Sequence, residues 1–202
     1  MKRLNLFFTI FCFIIITKTF AQNNKEFFTA MQLGIANSEY KNYKTNGLNI
    51  SFDKTYGNYE FGLITNTYLK ENINDEYNLP NQKLNFYTMD IGIKIHRLIF
   101  KSKSNKSSLL GGLINGLATS QIFKGEADGM NYVFPPKYGN VLLSNSYCYF
   151  ISPSINLEYV IIKNKLAIYN HFQYKFLFGN TSFSNTTDLS KFSMSFGVKL
   201  LL

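Results

Sequence analysis

His96 and His171 are the only imidazoles in this 202-residue chain. With Ser152, Ser154 and Glu158 they supply the side-chain types of a serine hydrolase: nucleophile, general base and orienting acid. Acyl transfer is therefore the first chemistry to weigh, yet no motif spacing ties these types together. A metal centre on the two histidines has less behind it. They lie on segments that are not neighbours, and no cluster of further ligands accompanies them. Phosphate-cradling glycine loops, dinucleotide fingerprints and paired-cysteine motifs are absent, so no cofactor is expected. The remaining chemically loaded residues are charges set among apolar side chains: Glu60, Asp90 and Glu158 with Lys94, Lys175 and Lys199. Their meaning depends on the elements that hold them.

Around 85–97, NFYTMDIGIKIHR alternates at a period of two. Tyr87, Met89, Ile91, Ile93 and Ile95 take one face; Thr88, Asp90, Gly92, Lys94 and His96 take the other. That period marks a strand with two unlike faces. The rhythm recurs at about 26–36, 46–53, 59–69, 109–120, 147–159, 166–179 and 192–202. In LLGGLINGLATS, residues 109–120, glycines leave the phase open. Short links at 54–58, 99–108 and 161–165 alternate with longer polar stretches at 37–45, 70–84, 121–144 and 180–190. Such alternation predicts an all-β, eight-stranded antiparallel up-and-down meander, with strands about ten residues long as a tilted membrane crossing requires.

MKRLNLFFTIFCFIIITKTFAQ reads as an export signal: Lys2 and Arg3, an apolar run from Leu4 to Ile16, then Thr19-Phe20-Ala21 before the cut. Residues 1–21 are expected to be removed, leaving 22–202 as one barrel domain. Loss of Lys2, Arg3 and Lys18 lowers the formal charge from +9 to +6. A basic balance can signal nucleic acid, but an exported chain without a basic helix argues against that partner. Cys148 is then the one thiol left, so no intramolecular disulfide forms and a structural role is expected.

Alternation alone fits both a soluble barrel, apolar inside, and a membrane barrel, apolar outside. Side-chain size separates them. Eight strands enclose a space just wide enough for side chains to fill. The apolar face carries Phe, Tyr, Met, Leu and Ile almost throughout, too much volume for that space, whereas the other face is rich in Gly, Ser, Asn and Ala. The large face therefore points outward. It has no acid or base at mid-strand, where Arg or Lys in a bilayer costs roughly 2–4 kcal/mol. The small face, read as three acids (Glu60, Asp90, Glu158) and three bases (Lys94, Lys175, Lys199), is expected to form an ion-pair network that plugs the lumen. An open pore is not expected at this strand number. Arg97, Lys101, Lys103, Lys106, Lys163 and Lys165 crowd the short links on the periplasmic side, which reads equally as contact with anionic phospholipid or as solvated turns. His171 points inward, away from lipid acyl chains, so no enzymatic activity is expected.

The signal, the alternating segments and the final FSMSFGVKLLL resemble small Gram-negative outer-membrane β-barrel proteins. These include OmpA-like and OmpX-like barrels and the PorT-like "porin family" barrels. The resemblance covers the whole mature chain as a pattern. It implies a transmembrane barrel in the cell outer membrane, contact with outer-membrane lipids, and insertion by an outer-membrane assembly machinery that reads the last strand. Phe192, Met194, Phe196, Val198 and Leu200 fit that strand, while Leu202 stands where the family usually has an aromatic. Specific function in such a barrel belongs to its loops. In QIFKGEADGMNYVFPPKYGNVLL, Tyr132, Phe134 and Tyr138 surround a Pro-Pro pair and make a candidate contact for a protein or glycan. The expected role is membrane structure or interaction at the surface. The alternatives are a lipid-modifying barrel enzyme using His171 and a soluble secreted ligand-binding barrel.

Overall fold

Eight alternating segments become eight antiparallel strands in the computed structural model, which describes residues 28–40, 43–71, 73, 84–124, 141–179 and 191–202. In chain order these are β1 (Ala30–Tyr40), β2 (Tyr43–Tyr56), β3 (Tyr59–Lys70), β4 (Leu84–Lys101), β5 (Ser107–Lys124) and β6 (Val141–Ile162). They are followed by β7 (Leu166–Tyr174, resumed at Phe176–Phe178) and β8 (Phe192–Leu201). Each strand pairs with its successor, and β8 returns to pair with β1 from Ala30↔Leu201 to Ser38↔Ser193. The sheet is thereby closed into a barrel.

The break in β7 has a local cause. Ser154↔Gln173 and Ile151↔Phe176 share one register, which sets Pro153 of β6 beside Tyr174, next to the interruption at Lys175. Proline has no N–H to give to a ladder. The Ser152 hydroxyl donates to the Tyr174 carbonyl at 2.9 Å instead, and the Lys175 N–H turns to the Lys191 carbonyl at 3.0 Å.

Strand lengths depart from the sequence reading. Residues 37–45, expected as a long loop, are mostly strand: Tyr40 pairs with Tyr43, and only 41–42 join β1 to β2. The strands β4, β5 and β6 run for 18, 18 and 22 residues. Hydrophobic alternation reports burial and stops where the apolar band stops, whereas backbone pairing continues beyond it. The tight turns are made by residues that tolerate a left-handed backbone: Gly57, Asn105 and Asn164 have φ of 58°, 55° and 56°.

The apolar face is outside. Leu117 is 66% exposed, whereas inward-facing Lys94 is 1% exposed. The same pattern settles β5, where Leu110, Ile114, Ala118 and Ile122 point inward while Leu113 and Leu117 point outward. With its large aliphatic and aromatic face outward and its polar side chains buried, this is a transmembrane β-barrel fold. The soluble carrier with an apolar cavity is thereby set aside.

The lumen has two tiers. Toward the long connections, Tyr40, Ile64, Ile114, Cys148, Phe150 and Leu177 belong to one buried apolar cluster. Buried polar side chains, among them Thr88, Asp90, Ser120 and Lys175, stand beside that cluster, and toward the short turns polar and charged side chains predominate. A polar lumen is legible in the sequence; the apolar tier is not, because Ile114, Phe150 and Leu177 lie on a face that otherwise looks small.

Candidate functional site

The polar tier is built on a register rule. Asp53 of β2, Gly62 of β3 and Lys94 of β4 stand side by side across three strands. Glycine leaves the middle position empty. Lys94 Nζ reaches over it to Asp53 Oδ1 at 2.7 Å and also contacts Glu60 Oε1 at 2.9 Å. A methyl group at Gly62 would fall on the Asp53 carboxylate. Lys199, on β8, crosses the lumen to Glu60 and meets Glu158 Oε1 at 2.6 Å. The result is one continuous chain, Asp53–Lys94–Glu60–Lys199–Glu158. Ser51 donates to Asp53 at 2.6 Å and Asn156 donates to Glu158 at 2.8 Å, so its two ends are also held.

Asp90 and Lys175 form a separate pair higher in the barrel. Lys175 Nζ lies 2.9 and 2.8 Å from the two Asp90 oxygens and 5.7 Å from the Tyr68 ring centre. The six charges singled out from the sequence thus fall into two groups. The first group also contains Asp53, which is not among the three acids counted from the sequence. The balance is therefore four carboxylates against three ammonium groups, a correction to three against three. Asp53 adjoins a short link, where an acid is easily read as solvated. Its odd position, in phase with Asn49 and Ser51, was the available signal.

The register rule recurs in two other rows. His96, Gly112 and Ser154 are neighbours across β4, β5 and β6, and His96 Nε2 lies 2.7 Å from Ser154 Oγ. Tyr169 lies over Gly197 and Gly34 and donates to Asn49 Oδ1 at 2.7 Å, spanning β7 to β2. Long side chains therefore lie along the wall over glycines, which lets a narrow lumen hold them.

These contacts decide what the hydrolase residues form. Ser154 meets His96, not His171, and Ser152 is engaged with the Tyr174 carbonyl. Where a triad has its orienting acid, His96 Nδ1 is buried and has no hydrogen-bond partner among the described residues. Glu158 is committed to Lys199 and Asn156. His96 and His171 do come together, with ring centres 5.8 Å apart. Their strands are not adjacent, but a lumen this narrow makes opposite walls neighbours, which corrects the sequence argument that kept them apart. Among the described residues no group of three or more His, Cys, Asp or Glu is arranged to hold a metal.

Cys148 is buried in the apolar tier. Residues 1–27, which include the expected signal, and Tyr132, Phe134 and Tyr138 of the candidate loop contact lie outside the described residues.

No family model and no curated protein matches the sequence. Among solved structures the chain is similar to Neisserial surface protein A, at 12% identity over 87% of this chain and 96% of that one, with a TM-score of 0.54. It is also similar to Ail, the attachment invasion locus protein of Yersinia pestis, solved in complex with the heparin analogue sucrose octasulfate. There the identity is 9% over 86% of this chain and 96% of that one, with a TM-score of 0.52. Both are eight-stranded outer-membrane barrels of Gram-negative bacteria, and at these identities the likeness is one of fold.

Proposed function

We propose that this chain is a non-enzymatic outer-membrane protein, a filled barrel that holds surface loops for contact with a protein or glycan partner. The carrying observation is the two-tier lumen. A chain of ion pairs fills the level near the short turns, and the apolar cluster together with the Asp90–Lys175 pair fills the level beyond it, so the described lumen is packed with side chains. Residues 1–21 would direct export, and the outward face of β8 would be read by the assembly machinery. The loop carrying Tyr132, Phe134 and Tyr138 is the proposed contact. The sulfated sugar analogue bound to Ail, a protein of the same fold, makes a glycan a reasonable class of partner to test first. Against catalysis stands the Ser154–His96 contact, which lacks an orienting acid and is buried in the lumen.

The test is expression in a Gram-negative host followed by fractionation, cold and boiled gel migration, and binding of whole cells to immobilised glycans and host proteins. Outer-membrane recovery, a heat-dependent mobility shift, and binding lost on combined Tyr132→Ala, Phe134→Ala and Tyr138→Ala are expected. Recovery in the soluble fraction would overturn the location. Binding that survives the triple change would overturn the role of the loop.

A further inference from the structure

The short-turn end of the barrel is charged in a one-sided way. Arg97, Lys101, Lys103, Lys106, Lys163 and Lys165 are all exposed there. Two hairpins bring most of them together. Ser107 pairs with Tyr159, and the Val160 N–H donates to the Lys106 carbonyl at 2.7 Å, which sets the β4–β5 turn against the β6–β7 turn. Among the described residues none of these six cations meets a carboxylate. Among the described residues the acids at this level, Asp53, Glu60 and Glu158, point into the lumen and are spent on Lys94 and Lys199. The described acids that are exposed, Glu39 and Glu71, belong to the opposite end.

The same rim is apolar immediately below its cations. Ile99 is 63% exposed and Phe100 58%, and Ile161 and Ile162 continue the belt on the next hairpin. Arg97 lies over the Tyr59 ring, 6.0 Å from its centre. An unneutralised row of ammonium groups above an outward apolar belt is complementary to one kind of ligand: a phosphate headgroup carried on acyl chains. A solvated turn needs the cations but not the belt, and a lipid-facing belt needs no cations.

We propose that this rim is a binding site for anionic phospholipid. The headgroup phosphate is taken by Lys101, Lys103, Lys106 and Lys163, and the acyl chains lie on Phe100 and Ile161. The site is independent of any partner at the long loops. Its function would be to fix the depth and tilt of the barrel and to gather anionic lipid on one side of it.

The mature chain, reconstituted in vesicles of phosphatidylcholine with one part in four phosphatidylglycerol, tests this with spin-labelled lipids of each type. Several-fold preference of the protein-bound lipid fraction for phosphatidylglycerol is expected. That preference should fall toward parity in 0.5 M salt and in a K101Q/K103Q/K106Q/K163Q variant whose folding is verified by its heat-dependent gel shift. If that variant does not fold, the K103Q/K106Q pair in the turn is used, with a smaller fall expected. Lys44→Gln at the opposite end should leave the preference intact. Parity in the unmodified protein, or full preference in a folded variant, overturns the site. Equal displacement of bound lipid by free glycerol phosphate overturns its assignment to lipid. Glycan binding by the loops is scored separately, so failure here and failure of the surface role are distinguishable.

Discussion

Asp53 and Lys94 meet at 2.7 Å across Gly62, a glycine that stands between them in the sheet and lends them its space. An alanine there would push the Asp53 carboxylate aside and disturb Lys94, which also serves Glu60. We expect Gly62→Ala to lower barrel stability by about 1–3 kcal/mol, the usual range for overpacking a filled interior. Urea unfolding followed by gel mobility measures it. An unchanged midpoint would mean that the pair is not held by the gap.

Lys199 joins Glu60 and Glu158, and Glu60 keeps Lys94 when Lys199 is removed. Glu158 does not. Lys199→Met is therefore expected to cost about 3–5 kcal/mol, the range for removing one partner of a buried pair. Adding Glu158→Gln should recover part of the loss, since the orphaned charge is then gone. Additive losses in the double variant would contradict this coupling.

The two tiers fill the lumen independently. In planar bilayers we expect no conductance steps from the unmodified barrel, and none from Lys199→Met with Glu158→Gln, because Ile114, Phe150 and Leu177 still pack the other tier. Steps in the double variant alone would show that the ionic tier is the sole seal.

Catalysis is checked by lipid mass spectrometry of cells carrying the unmodified barrel, His96→Ala or His171→Ala. Identical phospholipid and lipid A profiles are expected in all three. A modified lipid that disappears with His171→Ala would restore the enzyme reading.

Leu117 projects from the middle of β5 and is 66% exposed. Replacing it with Arg is expected to cost roughly 2–4 kcal/mol in a bilayer, as for a cation at the midplane. A neutral result would place this level of the barrel outside the hydrocarbon.

Architecture was legible in the sequence because its signal, a period of two with large residues on one face, is the physical requirement for a barrel facing lipid. Boundaries were not. Pairing between Tyr40 and Tyr43 carries no apolar contrast, so a polar hairpin read as a loop. The phase of β5 was illegible because both of its faces mix glycine with Leu or Ile, and only its neighbours fix which side Ile114 takes. Within the polar tier, the residue types were visible and their partners were not. That Lys94 chooses Asp53, or Ser154 chooses His96, follows from which residues sit opposite a glycine, and this is a property of register.

The seam between β1 and β8 runs for nine register pairs, while β4 and β5 share seventeen. Until β8 docks, the sheet has two raw edges, β1 and β7, and Lys199 is not in the lumen. Closure therefore acts as a latch: the strand that seals the wall also delivers the cation that locks Glu60 and Glu158. A chain cut short before residue 192 would lose both at once. It would remain a sticky open sheet that a quality-control protease can tell from the finished article.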